Sequence, residues 1–131
     1  MKILVGYDGS NASKAAIELA RTHARAFGAM VLLVRSMQGG PEVPRLEFEV
    51  AEQELGGMQV AAFVDHGIAS EHHLLVRGLT PGEDLVQFAA ENGVNEIIIG
   101  VRRRSKVGKA LFGSTTQYVV LNAHCPVVTV R

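Results

Sequence analysis

The chain has 131 residues, and its 13 basic and 13 acidic side chains give a formal net charge of zero. It therefore lacks the net positive charge that is typical of nucleic-acid-binding domains. Hydrophobic residues at 47% and charged residues at 20% are typical of one globular domain, expected over residues 1–131, and exclude a disordered or fibrous chain. No apolar run approaches the roughly 20 residues of a membrane-spanning helix, the N-terminus lacks a signal-peptide pattern, and Cys125 is the single cysteine, so we expect a cytoplasmic protein.

The first half of the chain predicts two strands and two helices. The apolar run Ile3–Tyr7 predicts a buried strand that leads into a turn. Ser10 is placed to cap the helix that follows, and Gly28 is placed to end it. A second strand is predicted at Val31–Val34, and a longer helix is predicted from about Arg45 to Asp65.

The second half of the chain has clearer boundaries. A strand predicted at His72–Val76 is followed by Thr80–Glu83, a capping box with proline at the first helical position. A strand at Glu96–Ile99, a helix from Ser114 to about Asn122 and a strand at Pro126–Val130 complete the pattern. Strands therefore alternate with helices along the whole sequence.

This alternation predicts the α/β fold class, with a five-stranded parallel sheet between two layers of helices and right-handed crossovers. In such a Rossmann-like sheet, ligands bind beyond the carboxyl ends of the strands, where the strand order reverses. Two loops are candidates for that place: one leaves the first strand at Asp8, and the other leaves the fourth strand at Gly100. If these two strands are neighbours, the loops face each other across one crevice.

The segment Gly100–Thr115 carries the strongest functional signal. Thirteen residues separate Gly100 from the predicted helix start at Ser114, whereas βα loops usually have about two to six. Basic residues are concentrated in this loop with no acidic residue among them: Arg102, Arg103, Arg104, Lys106 and Lys109. A basic, glycine-punctuated loop that ends at helix N–H groups and hydroxyls suits a phosphate group. The segment therefore predicts a nucleotide-binding protein.

Each of these features also has a purely structural interpretation. Ser114 and Gln117 together satisfy the capping-box pattern, so the Ser114 hydroxyl is also placed to cap its own helix. Asp8 also has the position of an ordinary turn residue. The basic cluster is compatible with simple surface charge, and both interpretations stay open at the level of sequence.

Other chemistry is mostly excluded because its motifs are missing. The sequence contains no Walker A loop, no GxSxG elbow, no HExxH and no CxxC, and it displays no catalytic constellation. His72 and His73 are adjacent on a predicted strand and point to opposite faces, so a shared metal site is not expected. Aromatic residues do not interleave with the basic loop, which makes a nucleic-acid partner unlikely.

The sequence resembles the universal stress proteins over essentially its whole length. The resemblance is carried by Val5–Ser10 at the start, by Gly100 and Gly113–Ser114, and by His124–Val128 near the end. The nucleotide-binding branch of that family has glycines at fixed spacings across the loop after the fourth strand. The present chain matches those spacings, except that Arg103 stands in place of the second glycine.

The resemblance implies an adenine nucleotide alpha hydrolase-like fold and an adenine nucleotide as ligand: ATP, or else ADP or AMP, with or without Mg²⁺. It implies that Asp8 accepts a hydrogen bond at the adenosine end and that Gly6, Arg35 and Ile99 line the nucleoside pocket. The residues that it implies around the phosphates are Gly100, Arg102, Arg103, Gly113, Ser114 and Thr115.

Arg103 has two opposed interpretations. If its position requires a positive φ, arginine costs about 1 kcal/mol there, the loop takes another path, and nucleotide binding fails. Alternatively, the guanidinium makes a bidentate contact with phosphate, which more than replaces the missing glycine. The sequence does not decide between them.

The last predicted strand indicates a partner. Val127–Val130 is apolar and is expected at an edge of the sheet, where an unprotected strand pairs with another copy to give a twofold dimer. Members of the resembled family commonly dimerise through this strand. Three functions remain open: a nucleotide-dependent stress-response regulator with an unknown protein partner, a dimeric adaptor without nucleotide binding, and a slow ATPase, for which the sequence displays no base or metal site.

Overall fold

The computed structural model describes residues 1–101 and 113–131. Strands and α-helices alternate in these ranges: β1 (Lys2–Gly6), α1 (Asn11–Phe27), β2 (Met30–Ser36), α2 (Arg45–Ala62), β3 (Ser70–Leu75), α3 (Pro81–Glu91), β4 (Glu96–Gly100), α4 (Ser114–Asn122) and β5 (Val127–Val130). A short 3₁₀ turn at Val64–His66 follows α2, so the long helix ends before Asp65. Of the helices described, none combines the length and the apolar character needed to cross a membrane.

The helix boundaries follow the capping signals in the sequence. The Ser13 N–H donates to the Ser10 hydroxyl at the start of α1, and Gly28 ends that helix with a left-handed φ of 62°. At the start of α3, Thr80 and Glu83 form the reciprocal capping box. Hydrogen bonds from the Thr80 hydroxyl and backbone hold the pKa of Glu83 below its usual value. These caps fix where the connecting loops leave the helices.

All five strands are parallel and lie in the order β3-β2-β1-β4-β5, which confirms the predicted fold class. In the central strand β1, Leu4 lies between Leu32 of β2 and Ile97 of β4. The chain first winds to one side of β1 and then returns through α3 to β4 on the other side. The strand order therefore reverses between β1 and β4, as expected for a ligand site between their carboxyl ends.

Both faces of the sheet are buried, because successive strand residues point to opposite sides. Ile3 and Val5 of β1 belong to a core cluster with Leu55 of α2 on one face. Leu4 belongs to a second cluster with Phe88 of α3 on the other face. The central residues of β1, β2 and β4 are almost fully buried, and the carboxyl ends of these strands lead into the cavity described below.

His72 and His73 follow the same alternation. The His72 ring contacts the Glu52 carboxylate of α2, with 2.6 Å between Nε2 and Oε1. The His73 ring packs against Phe88 of α3 on the other face, with 4.9 Å between ring centroids. Within residues 1–101 and 113–131, no group of three or more His, Cys, Asp or Glu side chains could hold a metal ion.

Candidate functional site

A cavity of about 310 Å³ opens at the carboxyl ends of β1 and β4, at the point where the strand order reverses. This volume is at the lower end of the range of small-molecule sites, about 300–1,000 Å³. Its walls come from the ends of three strands and from the first residues of α1, α3 and α4. Asp8 of the first predicted loop thus lines the same cavity as Gly100 and Gly113, the described ends of the second.

Most of the predicted site residues line this cavity. They are Gly6, Asp8, Ile99, Gly100, Gly113, Ser114 and Thr115. Arg102 and Arg103 lie outside the described residues, so their predicted phosphate contacts stay predictions. The prediction for Arg35 is wrong with respect to its side chain, as the geometry of β2 shows.

Arg35 lies on the face of the sheet that does not contain the cavity. Val34 and Ser36 line the cavity, and the alternation along β2 turns Arg35 toward α2, where its Nη1 is 3.8 Å from Oε1 of Glu54. The Tyr7 phenol is buried on the same face. Burial raises the pKa of Tyr7, the nearby Glu54 carboxylate adds to the increase, and Arg35 opposes it. The correct cavity residue is therefore the next one, Ser36.

Gly100 allows β4 to approach the start of α1 very closely. A Cβ at this position would lie 2.2 Å from the carbonyl oxygen of Ala12 and 2.8 Å from the backbone nitrogen of Ser13. Backbone atoms cannot rotate away as a side-chain tip can, so only glycine fits without a shift of the chain. In the described structure, Gly100 thus serves the packing of two cavity walls against each other.

Gly113 has a different environment. It is the N-cap residue of α4 with φ −65° and ψ 167°, and a Cβ there would meet no atom of residues 1–101 or 113–131 within 4 Å. The position does not require glycine for its conformation.

Among the described residues, no side chain occupies the N-cap role at the start of α4. Ser114 is the first helical residue, and no side chain caps the helix, so the predicted capping box of Ser114 and Gln117 is not formed. The Gln117 N–H instead bonds to the Gly113 carbonyl at 3.0 Å. Ser114 is exposed, Thr115 is half-buried, and both line the cavity. The first N–H groups of a helix and the positive end of its dipole favour an anion.

Asp8 lies at the mouth of the cavity and is exposed. Its Oδ1 accepts a hydrogen bond from the Ser10 N–H at 2.9 Å, which makes it a turn residue. The turn interpretation of Asp8 is therefore confirmed, whereas its hydrogen bond to an adenosine stays a prediction for a residue that lines the cavity.

Sequence reasoning missed a buried polar group behind the cavity. The side chain of Asp84 is fully buried in the first turn of α3. Its Oδ1 accepts from Nε of Arg77 at 2.6 Å, and its Oδ2 accepts from the Ser36 hydroxyl at 2.7 Å. Burial disfavours the charge of Arg77, but Asp84 and Glu91 outweigh that effect and raise the pKa of Arg77. The alternation along β2 could have indicated Ser36, whereas nothing in the sequence pattern singles out Asp84.

The lining of the cavity contains an apolar set and a polar set of residues. A Cβ on Gly6 would be 3.3 Å from the side chain of Leu85 and 3.9 Å from that of Ile99, and we call this part of the lining the apolar end. Ser114 and Thr115, which begin α4, form the part that we call the polar end. Apolar side chains suit a ring, whereas hydroxyls and helix N–H groups suit an anion.

Comparisons with known proteins agree with this architecture. The profile of the universal stress protein family matches residues 1–131. The universal stress protein in the QAH/OAS sulfhydrylase 3′ region of Thermus aquaticus is 33% identical, over 98% of this chain and 97% of that protein. A solved universal stress protein from Archaeoglobus fulgidus is 36% identical with a TM-score of 0.86, covering 100% of this chain and 98% of that one.

A second Archaeoglobus fulgidus structure, solved in complex with dAMP, is 32% identical with a TM-score of 0.83 and covers the same shares of both chains. The chain is thus a Rossmann-like α/β protein with a cavity at its switch point. It belongs to the universal stress protein family, which confirms the resemblance found in the sequence.

Proposed function

We propose that this protein binds an adenine nucleotide in the cavity between β1 and β4 and acts as a nucleotide-dependent stress-response regulator in the cytoplasm. The observation that carries the proposal is the cavity itself, which runs from an apolar floor to the uncapped start of α4. The dAMP complex of an Archaeoglobus fulgidus relative supports the ligand class. The single cysteine agrees with a reducing compartment.

The two ends of the cavity determine the orientation in which the nucleotide binds. The base lies against Leu85 and Ile99, where apolar surface is available. The phosphate lies at Ser114 and Thr115, where hydroxyls and helix N–H groups donate to its oxygens. Between them, the Asp8 carboxylate at the mouth accepts a hydrogen bond from a ribose hydroxyl.

The number of phosphates is a further part of the proposal. The basic loop that contains Arg102 and Arg103 provides enough cationic charge for ATP, with or without Mg²⁺, and Arg103 is proposed to hold a phosphate. Titration with ATP, ADP and AMP in the presence and absence of Mg²⁺ separates these ligands. Occupancy is proposed to control the binding of a partner protein.

Ser114→Asp is expected to weaken AMP binding at least about tenfold, because a carboxylate at the start of α4 repels the phosphate. The same substitution is expected to leave the fold intact or to stabilise it by about 0.3–1 kcal/mol, since a negative charge is favourable at a helix N-terminus. Ser114→Asn is the matched neutral control. Isothermal titration calorimetry with AMP and with adenosine checks the effect.

Adenosine lacks the phosphate, so its affinity is expected to be equal in the aspartate and asparagine variants. Equal loss of adenosine and AMP binding would show that Ser114→Asp disturbs the cavity and not a phosphate contact. Equal AMP affinity in both variants would show that the phosphate does not bind at the start of α4.

The alternative is a dimeric adaptor that binds no nucleotide, for which Arg103 in place of glycine is the motivating feature. A dimer is compatible with either function, and the position of β5 at the edge of the sheet supports it. The carbonyl groups of Pro126 and Val130 accept from the N–H groups of Ile97 in β4 and of Val101 just after it, so the even-numbered residues of β5 face β4. The backbone N–H and C=O groups of Val127 and Thr129 therefore face outward. These groups are available for pairing with a second copy, and we propose a twofold dimer through Val127–Val130.

Thr129→Pro is expected to convert this dimer to a monomer, because it removes an outward N–H while the bonds to β4 remain. Thr129→Val keeps the N–H and is expected to remain dimeric. Sedimentation velocity measures both. A dimer that survives Thr129→Pro would place the interface elsewhere.

A further inference from the structure

The hydroxyl of Ser36 is held in one orientation by charged groups behind the cavity. Ser36 lines the cavity at the end of β2, whereas Asp84 lies behind it with a side chain that is 0% exposed. The Ser36 hydroxyl donates its proton to Oδ2 of Asp84 over 2.7 Å. The other carboxylate oxygen accepts from Nε of Arg77 over 2.6 Å.

This arrangement fixes the direction of the Ser36 hydrogen bond. An ionised carboxylate is only an acceptor, and Arg77 is only a donor, so Asp84 is held as the acceptor for both of its partners. A serine hydroxyl has one proton, and Ser36 directs that proton away from the cavity. Toward a ligand, the Ser36 oxygen therefore offers lone pairs and no donor.

Ser36 lies at the apolar end of the cavity. Val34, two residues earlier on β2, and Leu85, the residue after Asp84, both line this end. Ser114 begins the helix that follows β4, and β4 lies on the opposite side of β1 from β2. A nucleotide bound in the proposed direction thus brings its base, and not its phosphate, to the Ser36 oxygen.

We infer that Ser36 is a specificity residue that accepts a hydrogen bond from an amino group on the base, and that Asp84 and Arg77 position it for this role. The inference rests on the proposed function and extends it to the choice of base. A 6-amino purine donates to Ser36, whereas a 6-oxo purine places a second acceptor against it. An acceptor facing an acceptor leaves both groups unpaired, which is the basis of strong discrimination in polar sites.

Three nucleoside monophosphates test the inference by calorimetry: AMP, purine riboside 5′-monophosphate, which lacks the amino group, and IMP. The wild-type protein is expected to bind AMP about tenfold more tightly than purine riboside monophosphate, the factor for one ordinary hydrogen bond. It is expected to bind IMP more weakly than either. The Ser36→Ala variant is expected to bind AMP only as tightly as it binds purine riboside monophosphate. Its affinity for purine riboside monophosphate is expected to equal that of the wild-type protein.

Asp84→Asn gives a second readout that a purely structural role would not produce. The asparagine oxygen must face Arg77, so its amide nitrogen faces Ser36 and donates to it. The Ser36 hydroxyl then points its proton toward the cavity and acts as a donor there. The variant is therefore expected to prefer IMP over AMP. Ser36→Thr keeps the hydroxyl and is expected to retain the wild-type order of affinities.

The outcomes separate the inference from the proposed function. Equal binding of AMP and purine riboside monophosphate by the wild-type protein would overturn the role of Ser36 while nucleotide binding stands. Equal losses of affinity for AMP and for purine riboside monophosphate in Ser36→Ala would also overturn the role of Ser36. Absence of binding for all three nucleotides would overturn the proposed function and, with it, the inference.

Discussion

Gly100→Ala is expected to lower the free energy of unfolding by about 2–3 kcal/mol and to abolish AMP binding. The new Cβ would lie 2.2 Å from the Ala12 oxygen and 2.3 Å from the Ala12 carbonyl carbon, far inside contact distance. Either the end of β4 or the first turn of α1 must therefore move. Because both elements form walls of the cavity, the loss of stability and the loss of binding have one cause.

Gly113→Ala is the matched control, since this glycine also lies in the loop frame and lines the cavity. Its Cβ would meet no atom of the described part of the chain within 4 Å, and its φ of −65° is open to any residue. We expect a change in stability below about 1 kcal/mol, within the cost of alanine at an N-cap. Urea unfolding followed by circular dichroism measures both variants. Equal destabilisation by the two substitutions would contradict the packing role of Gly100.

Arg77→Met is expected to have the second large effect, a loss of about 3–5 kcal/mol, because it leaves the buried Asp84 carboxylate without its cation. Glu91→Gln is the control: Glu91 is half-exposed and contacts the same guanidinium at 3.0 Å. An exposed ion pair contributes little, so we expect a change below about 1 kcal/mol there. Thermal unfolding at one pH compares the two variants.

The double variant Arg77→Met with Asp84→Asn is expected to recover part of this loss, since a buried amide is less costly than a buried unpaired charge. With the single Asp84→Asn variant measured as well, the departure of the double variant from additivity gives the coupling energy of the pair. Additive effects of the two substitutions would show that Arg77 stabilises α3 by packing, for example over the Phe88 ring at 6.0 Å, and not by charge.

The fold could be predicted from the sequence because its signals are local. Ser10, Gly28 and the Thr80 capping box fix helix ends by hydrogen bonds within one turn. The apolar strands alternate with those helices, which leaves a parallel sheet as the economical arrangement. The end of the long second helix is harder to predict, because no glycine or proline marks it at Ala62 and a 3₁₀ turn follows directly.

The site was predictable only in part. Asp8, Gly100 and Ser114 were found because strand ends and a helix start converge at a switch point. Arg35 was misplaced by one residue, and a shift of one along a strand moves a side chain to the other face. Asp84 was missed because its partners, Ser36 and Arg77, are brought to it by tertiary packing.

The most direct test of the central claim, an adenine nucleotide in the cavity between β1 and β4, is a titration of the ¹⁵N-labelled protein with AMP. The amide signals expected to shift belong to Gly6, Ser36, Gly100 and Thr115, with saturation at one AMP per chain. Signals of α2, such as Leu55 on the opposite face, are expected to stay in place. No saturable shift, or shifts confined to α2, would contradict the proposed nucleotide site.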